Sequence, residues 1–227
     1  MNILAIDTAD QVLSVALETG AGVSYMEIDA RSRHSELLLE LVDQLRENSG
    51  IKPADIDLIA CMKGPGSFTG LRIGFSAAKG MALALKIPLV TVPTLDCLAY
   101  PLSIWPGIVI PAMDAKKNSF FAALYRGGQR LTEYMDASSQ AITREIAATR
   151  RSPDERIVLT GCGAQLLYSR LSECYTPEYI TLNPESRKGG ARELLKISKT
   201  TIIDAGEINS GPVYLRKSDA ELNSVKE

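Results

Sequence analysis

Lys63-Gly64-Pro65-Gly66-Ser67-Phe68-Thr69-Gly70-Leu71-Arg72-Ile73-Gly74 stands between two apolar runs of different kind. Before it, Ile56-Asp57-Leu58-Ile59-Ala60-Cys61-Met62 has the length of a buried strand. After it, Phe75 to Leu85 contains strong helix formers and no proline. The glycines therefore mark a strand-to-helix turn, the place where α/β folds put ligand loops. Turns of this kind often hold phosphate, because small residues let backbone N–H groups and the positive helix end approach an anion. The spacing tests that chemistry. A P-loop needs a second glycine five positions after the first, then Lys and Ser/Thr; Thr69 and Leu71 stand five positions after Gly64 and Gly66. Gly64, Gly66 and Gly70 miss the dinucleotide pattern because the third glycine comes one residue late, and Ser67 lacks the flanking glycines of a nucleophile elbow. A structural turn with close helix packing is preferred to phosphate binding.

Working outward, Asn2 to Asp7, Gln11 to Leu17 and Val23 to Ile28 read as strands, with Thr8-Ala9-Asp10 as a tight turn. Leu37, Leu38, Leu41, Val42 and Leu45 recur at helical spacing, which predicts a helix over His34 to Glu47. With a strand over Pro88 to Val92 the order is β-β-β-α-β-α-β, a mixed sheet with helices on its faces. A second, less regular unit repeats it. Ile108 to Met113, Phe120 to Tyr125 and Gln129 to Tyr134 read as strands and Ile142 to Thr149 as a helix; then follow a strand from Arg156 to Thr160, a helix from Ala164 to Leu171 and a strand from Tyr179 to Leu182. The expected lobes are 1–102 and 103–227, with Pro101 to Pro106 as hinge. The charged tail after Lys217 is expected to fray.

The 227 residues are 45% hydrophobic, enough for a sizeable packed core. A net charge of −2 argues against a chain that holds RNA alone on a broad basic surface. Cys61, Cys97, Cys162 and Cys174 have no C-x-x-C spacing and the first three follow strongly apolar neighbours, which points to buried free thiols rather than a metal site or disulfides, and to a reducing compartment. The N-terminus lacks a basic region followed by an apolar signal stretch, and no apolar run reaches the roughly 18 residues of a membrane helix. These features predict a soluble, cytoplasmic protein.

The run from Gly64 to Gly74 resembles the signature of the TsaB (YeaZ) family, bacterial partners in tRNA threonylcarbamoyladenosine synthesis. So do Ile3-Leu4-Ala5-Ile6-Asp7-Thr8, His34-Ser35-Glu36-Leu37-Leu38, Asp114-Ala115-Lys116 followed by Ala123-Leu124-Tyr125, and Pro212-Val213-Tyr214-Leu215-Arg216. The resemblance implies the two-lobed actin/hexokinase/Hsp70-like (ASKHA) fold. It also implies a non-catalytic scaffold that activates a homologous catalytic subunit, TsaD, which transfers a threonylcarbamoyl group to N6 of adenosine 37 in tRNAs reading A-starting codons. The further partners implied are a TsaE-like ATPase, tRNA indirectly, and a second copy when the chain is alone. A helix over Gly190 to Ser198 would then pack back on the first lobe.

Asp7 ends the first strand where ATP-using proteins of this fold keep a phosphate- or metal-orienting aspartate, but no glycine follows in Thr8-Ala9-Asp10-Gln11, and a turn-capping role is preferred. Asp114 is followed by Ala115-Lys116-Lys117-Asn118, again without a glycine pair, so the second phosphate grip also reads as degraded. Gly161-Cys162-Gly163 is sufficiently explained as a strand-to-helix turn. His34 is the only histidine, and Leu38 stands where an H-x-x-x-H metal pair of the TsaD type would place its second imidazole. No catalytic residue, metal or cofactor is therefore expected. An ATP-dependent phosphotransferase and a peptidase are the alternatives, disfavoured by the missing glycines and by the lone histidine without a nucleophile motif.

The resemblance, with the apolar excess of the two first-lobe helices, assigns partner binding to His34, Leu37, Leu38, Leu41, Val42, Leu45, Leu71, Phe75, Ala78 and Ala82. The signature loop is Gly64, Pro65, Gly66, Ser67, Phe68, Thr69, Gly70 and Arg72. The helix from Leu71 carries a second apolar side, Ala77, Met81 and Ala84.

Overall fold

Ile3–Asp7 (β1) is buried at every residue, as an apolar run must be when both faces of its sheet are covered. The structure is a computed structural model that describes residues 1–185, 188–201 and 207–216. Val12–Thr19 (β2) pairs antiparallel with β1, Leu4 opposite Leu17, and with Gly22–Asp29 (β3), Ala16 opposite Tyr25. His34–Asn48 (α1) then crosses to Leu58–Gly64 (β4), which runs parallel to β1 with Ile3 opposite Leu58. Phe68–Leu85 (α2) leads to Leu89–Pro93 (β5), parallel to β4. The strand order is β3-β2-β1-β4-β5. Leu38, Leu41, Val42 and Leu45 of α1 and Phe75, Ala78 and Ala82 of α2 fill one core with Leu4, Ile6, Leu13, Val15 and Ile59.

The second unit repeats this order. Ile108–Asp114 (β6) is its central strand, flanked by Phe120–Ala122 (β7) and Met135–Ala137 (β10) on one side and by Ile157–Thr160 (β11) and Ile180–Leu182 (β12) on the other. Ser139–Thr149 (α4) and Ala164–Leu171 (α5) make the crossovers, α4 capped by Ser138, whose Oγ accepts from Ala141 N–H at 3.3 Å. A second core forms around Ile108, Ile110, Ile142, Ile146, Leu159 and Leu167.

Two expected strands are broken. Phe120 to Tyr125 divides into β7 and Tyr125–Arg126 (β8), and Gln129 to Tyr134 shrinks to Gln129–Arg130 (β9), with β10 after it. The reason lies at Leu124, whose N–H donates to Thr132 Oγ1 at 3.0 Å and whose carbonyl accepts from Leu131 N–H at 2.7 Å, a local closure around Gly127 and Gly128. Thr94–Ala99 (α3), too short to carry a periodic signal, has no counterpart in the expected order. The chain divides between Cys97 and Leu98, upstream of the expected hinge. The first unit comprises 1–97, 188–201 and 207–213, and the second 98–185 and 214–216.

Ala191–Ser198 (α6) belongs to the first unit and packs on β1, β2, β4 and β5 through Ala191, Leu194 and Leu195. The tail after Lys217 lies outside the described residues. Among those residues no helix is long and apolar enough to cross a membrane.

Candidate functional site

The signature loop is filled by its own chain. Ser67 caps α2, its Oγ accepting from Gly70 N–H at 3.2 Å, and its own N–H donates to the Ala9 carbonyl at 2.7 Å. Thr8 Oγ1 donates to the Gly70 carbonyl at 2.8 Å. A Cβ at Gly66 would lie 2.5 Å from Ala9 O, one at Gly70 2.1 Å from Thr8 O, and one at Gly74 2.1 Å from Thr8 Oγ1. The β1–β2 turn thus packs directly on the glycines of the loop and of the first turns of α2. Gly64, at φ +103°, lies against the Val213 carbonyl, while Val213 N–H donates to Lys63 O at 2.7 Å. At the rim, Phe68 is half-buried, Thr69 and Arg72 are exposed, and the Arg72 guanidinium stacks 3.8 Å from the Phe68 ring centroid. The second unit repeats the device: Gly163 N–H donates to Ala112 O at 2.9 Å, and a Cβ at Gly161 would lie 2.5 Å from that same oxygen.

Asp7 caps its turn and does more. Its Oδ1 accepts from Ala9 N–H at 2.9 Å and its Oδ2 from Gly190 N–H at 2.7 Å, at the entry of α6. Burial pushes its pKa up to about 6, against those two hydrogen bonds and with help from the Asp10 and Glu193 charges. Around it, Ser14 Oγ accepts from Ala191 N–H at 3.1 Å, Glu27 accepts from Gly189 N–H at 3.0 Å, and Tyr25 OH donates to the Gly189 carbonyl at 3.0 Å. Burial, then the Glu27 hydrogen bond and charge, push the Tyr25 phenol up. Asp7 thus fastens α6 to the sheet, a role that sequence spacing cannot expose because the contact spans most of the chain.

His34 is buried, and its Nε2–H donates to the Asp10 carbonyl at 2.8 Å, so its ring turns toward its own chain. Among the described residues no three His, Cys, Asp or Glu side chains are placed to hold a metal ion. Cys61 and Cys97 are buried as expected, but Cys162 is only half-buried despite its apolar neighbours, and Cys174, which lacks them, is exposed.

The residues assigned to the partner face lie in the first unit's own core. Leu38 is 1% exposed and Ala78 0%; His34, Leu41, Val42, Leu45, Leu71, Phe75 and Ala82 are buried too, and Leu37 half-buried. Their apolar arc is satisfied by the sheet beneath it. Periodicity located a stripe on each helix but could not say which side met the sheet, because α2 is apolar on both. The outer side is now visible. Ser76, Gly80 and Ala84 recur every fourth residue and are exposed, Ile73, Ala77 and Met81 are half-buried beside them, and Leu83 and, on α1, Leu39 are each 56% exposed. Among the described residues, a Cβ on Gly80 would meet nothing within 4 Å.

The model of the tRNA N6-adenosine threonylcarbamoyltransferase (TsaD) family matches residues 26–163. The tRNA threonylcarbamoyladenosine biosynthesis protein TsaB of Escherichia coli is 34% identical over 97% of this chain and 96% of its own. A crystal structure from Pseudomonas aeruginosa, of a protein with similarity to the peptidase YeaZ, superposes with a TM-score of 0.78 at 24% identity, over 95% of this chain and 99% of that one. A Bacteroides thetaiotaomicron protein with an actin-like ATPase fold superposes at 0.50 and 9% identity, over 86% and 95% of the two chains. With the repeated strand order, these likenesses define an α/β protein of the actin-like ASKHA class. The chain belongs to the TsaB (YeaZ) family of tRNA threonylcarbamoyladenosine biosynthesis proteins.

Proposed function

We propose that this chain is the non-catalytic subunit of a cytoplasmic threonylcarbamoyladenosine-forming complex and docks on a TsaD-like catalytic subunit through the outer sides of α1 and α2. The observation that carries this is the outer side of α2. A helix apolar all round is normally covered all round, yet Ile73, Ala77, Met81 and Leu83 retain exposure. The exposed Ser76, Gly80 and Ala84 would let a partner helix approach closely. A second copy would use the same side when the chain is alone. A TsaE-like ATPase and tRNA would join through the assembled complex, since a net charge of −2 favours no RNA surface here.

The interface is tested with Leu83→Glu and Ala84→Glu, whose side chains are exposed. Both should fold and melt like wild type, while pull-down of a TsaD-like subunit weakens by roughly two powers of ten, as expected for an uncompensated interfacial charge. Leu38→Glu and Ala78→Glu serve as contrasts and should unfold, because they bury the charge in the core. Wild-type binding by folded Leu83→Glu and Ala84→Glu would move the interface elsewhere.

A further inference from the structure

The outer sides of α1 and α2 carry opposite charge. On α1, Glu36, Glu40, Asp43 and Glu47 are all exposed, and their spacing lines them up along one side of the helix. The single guanidinium of α1, Arg46, lies 3.3 Å from Asp43 and 3.2 Å from Glu47, so it offsets one carboxylate and leaves the line strongly acidic. On α2 and its C-cap the order is reversed. The stretch from Gly64 to Lys86 contains no Asp or Glu, while Lys79 and Lys86 stand seven residues apart, two turns along one side of the helix. Lys86 is exposed and Lys79 half-buried. A chain with a net charge of only −2 has thus separated its signs between two neighbouring helices.

Both helices lie on the same face of the first sheet and touch each other. Two copies that meet through one shared face are related by a two-fold axis lying in the plane of contact. An axis across the helices lays α1 on α1 and α2 on α2, with like charges opposed. An axis along the helices lays α1 of each copy on α2 of the other, with each acidic line against a basic one. Like charges set against each other suppress one arrangement and opposite charges favour the other.

We infer that these charges make the face complementary to itself, so that a second copy docks with its α2 on this α1 and its α1 on this α2. This orientation presupposes the docking side proposed above and is fixed by Glu36 and Glu40 on one helix and Lys79 and Lys86 on the other. Leu39 and Leu83, each 56% exposed, supply apolar area to the same contact.

Self-association of the full chain would be followed by sedimentation equilibrium, with a melting temperature for every variant. Raising salt from about 50 to about 500 mM should weaken the wild-type dimer roughly tenfold, since exposed charges are screened. Glu36→Lys with Glu40→Lys, and separately Lys79→Glu with Lys86→Glu, alter positions that already carry charge. Each pair should melt like wild type and weaken the dimer roughly a hundredfold, because like charges then meet in both halves of the two-fold contact. An equimolar mixture of the two should associate again, and the chain with all four changes should pair with itself but not with wild type. If a reversed pair melts early, Glu36→Gln with Glu40→Gln replaces it and should weaken the dimer roughly tenfold. A wild-type chain that stays monomeric, unchanged affinity in the folded charge variants, a mixture that fails to associate, or a four-change chain that prefers wild type to itself would each overturn the orientation. Unchanged self-association in folded Leu83→Glu would instead remove the docking side itself. Loss of the dimer in Leu83→Glu with no effect of the charge pairs would remove the orientation alone.

Discussion

A Cβ on Gly70 would sit 2.1 Å from the Thr8 carbonyl, a separation no packed pair sustains. Gly70→Ala must therefore push the β1–β2 turn off α2 and should cost roughly 1–3 kcal/mol, read as a lowered denaturant midpoint. An unchanged midpoint would mean that the turn is not seated on the signature loop. Asp7 gives the same region a pH dependence of definite sign. Its folded pKa is raised from 3.8 to about 6 by burial, so its contribution to stability is fully present below about pH 3.8 and is lost as pH rises through about 6. Asp7→Asn stays neutral throughout. The stability of wild type relative to Asp7→Asn should accordingly fall between about pH 4 and 6 and level off above, by roughly 3 kcal/mol at most. A difference that rises with pH, or stays flat across that window, would contradict the burial of a carboxyl beneath α6. Asp136 and Glu155 oppose this trend: burial raises each, but Arg216 with Ser119, and Arg126 with Arg151, outweigh it and hold both below the ordinary range. Those two lose their contribution only as pH falls through the acid range.

At the scale of elements, α2 needs its glycines for opposite reasons. Gly70 and Gly74 give way to Thr8, while Gly80 gives way to nothing among the described residues. A mid-helix glycine facing open space costs its monomer roughly 0.5–1 kcal/mol relative to alanine. Gly80→Ala should therefore raise the stability of dilute protein by about that amount while weakening self-association or partner capture, because the added methyl keeps a second helix away. Destabilisation instead would mean that the chain itself uses the gap. The same helix marks how far the sequence could be read. The strand-helix-strand order around Gly64 was legible because period-two and period-3.6 patterns differ within a few residues. The face was not, since Leu71, Phe75 and Ala78 on one side and Ile73, Ala77 and Met81 on the other are equally apolar. Asp7 was legible as a turn cap through Ala9, but its bond to Gly190 was not, nor was the left-handed backbone at Lys116, because such contacts depend on chain separated widely in sequence or on tertiary restraint.

For the whole molecule, the two units share one strand order, and in each the glycines after the fourth strand close on the first. In the first unit that closure turns the Thr8 and Ala9 carbonyls onto the glycines of the signature loop, and Asp7 spends both oxygens on Ala9 and Gly190. A carboxylate so engaged is not available to orient a metal-bound phosphate without unfastening α6. The isolated chain is therefore expected neither to hydrolyse ATP nor to modify tRNA, and tRNA threonylcarbamoylation should appear only when a TsaD-like subunit is added. In that mixture Leu83→Glu, folded but unable to dock, should lose the stimulation, and excess wild-type chain should restore it. The decisive comparison is sustained turnover by the purified chain against the same preparation carrying Asp7→Ala. Hydrolysis by the first and none by the second would make Asp7 a phosphate-orienting residue after all and would replace the scaffold with a phosphotransferase of the same fold. Silence in both, with activity restored by the partner, is the outcome that the scaffold reading predicts.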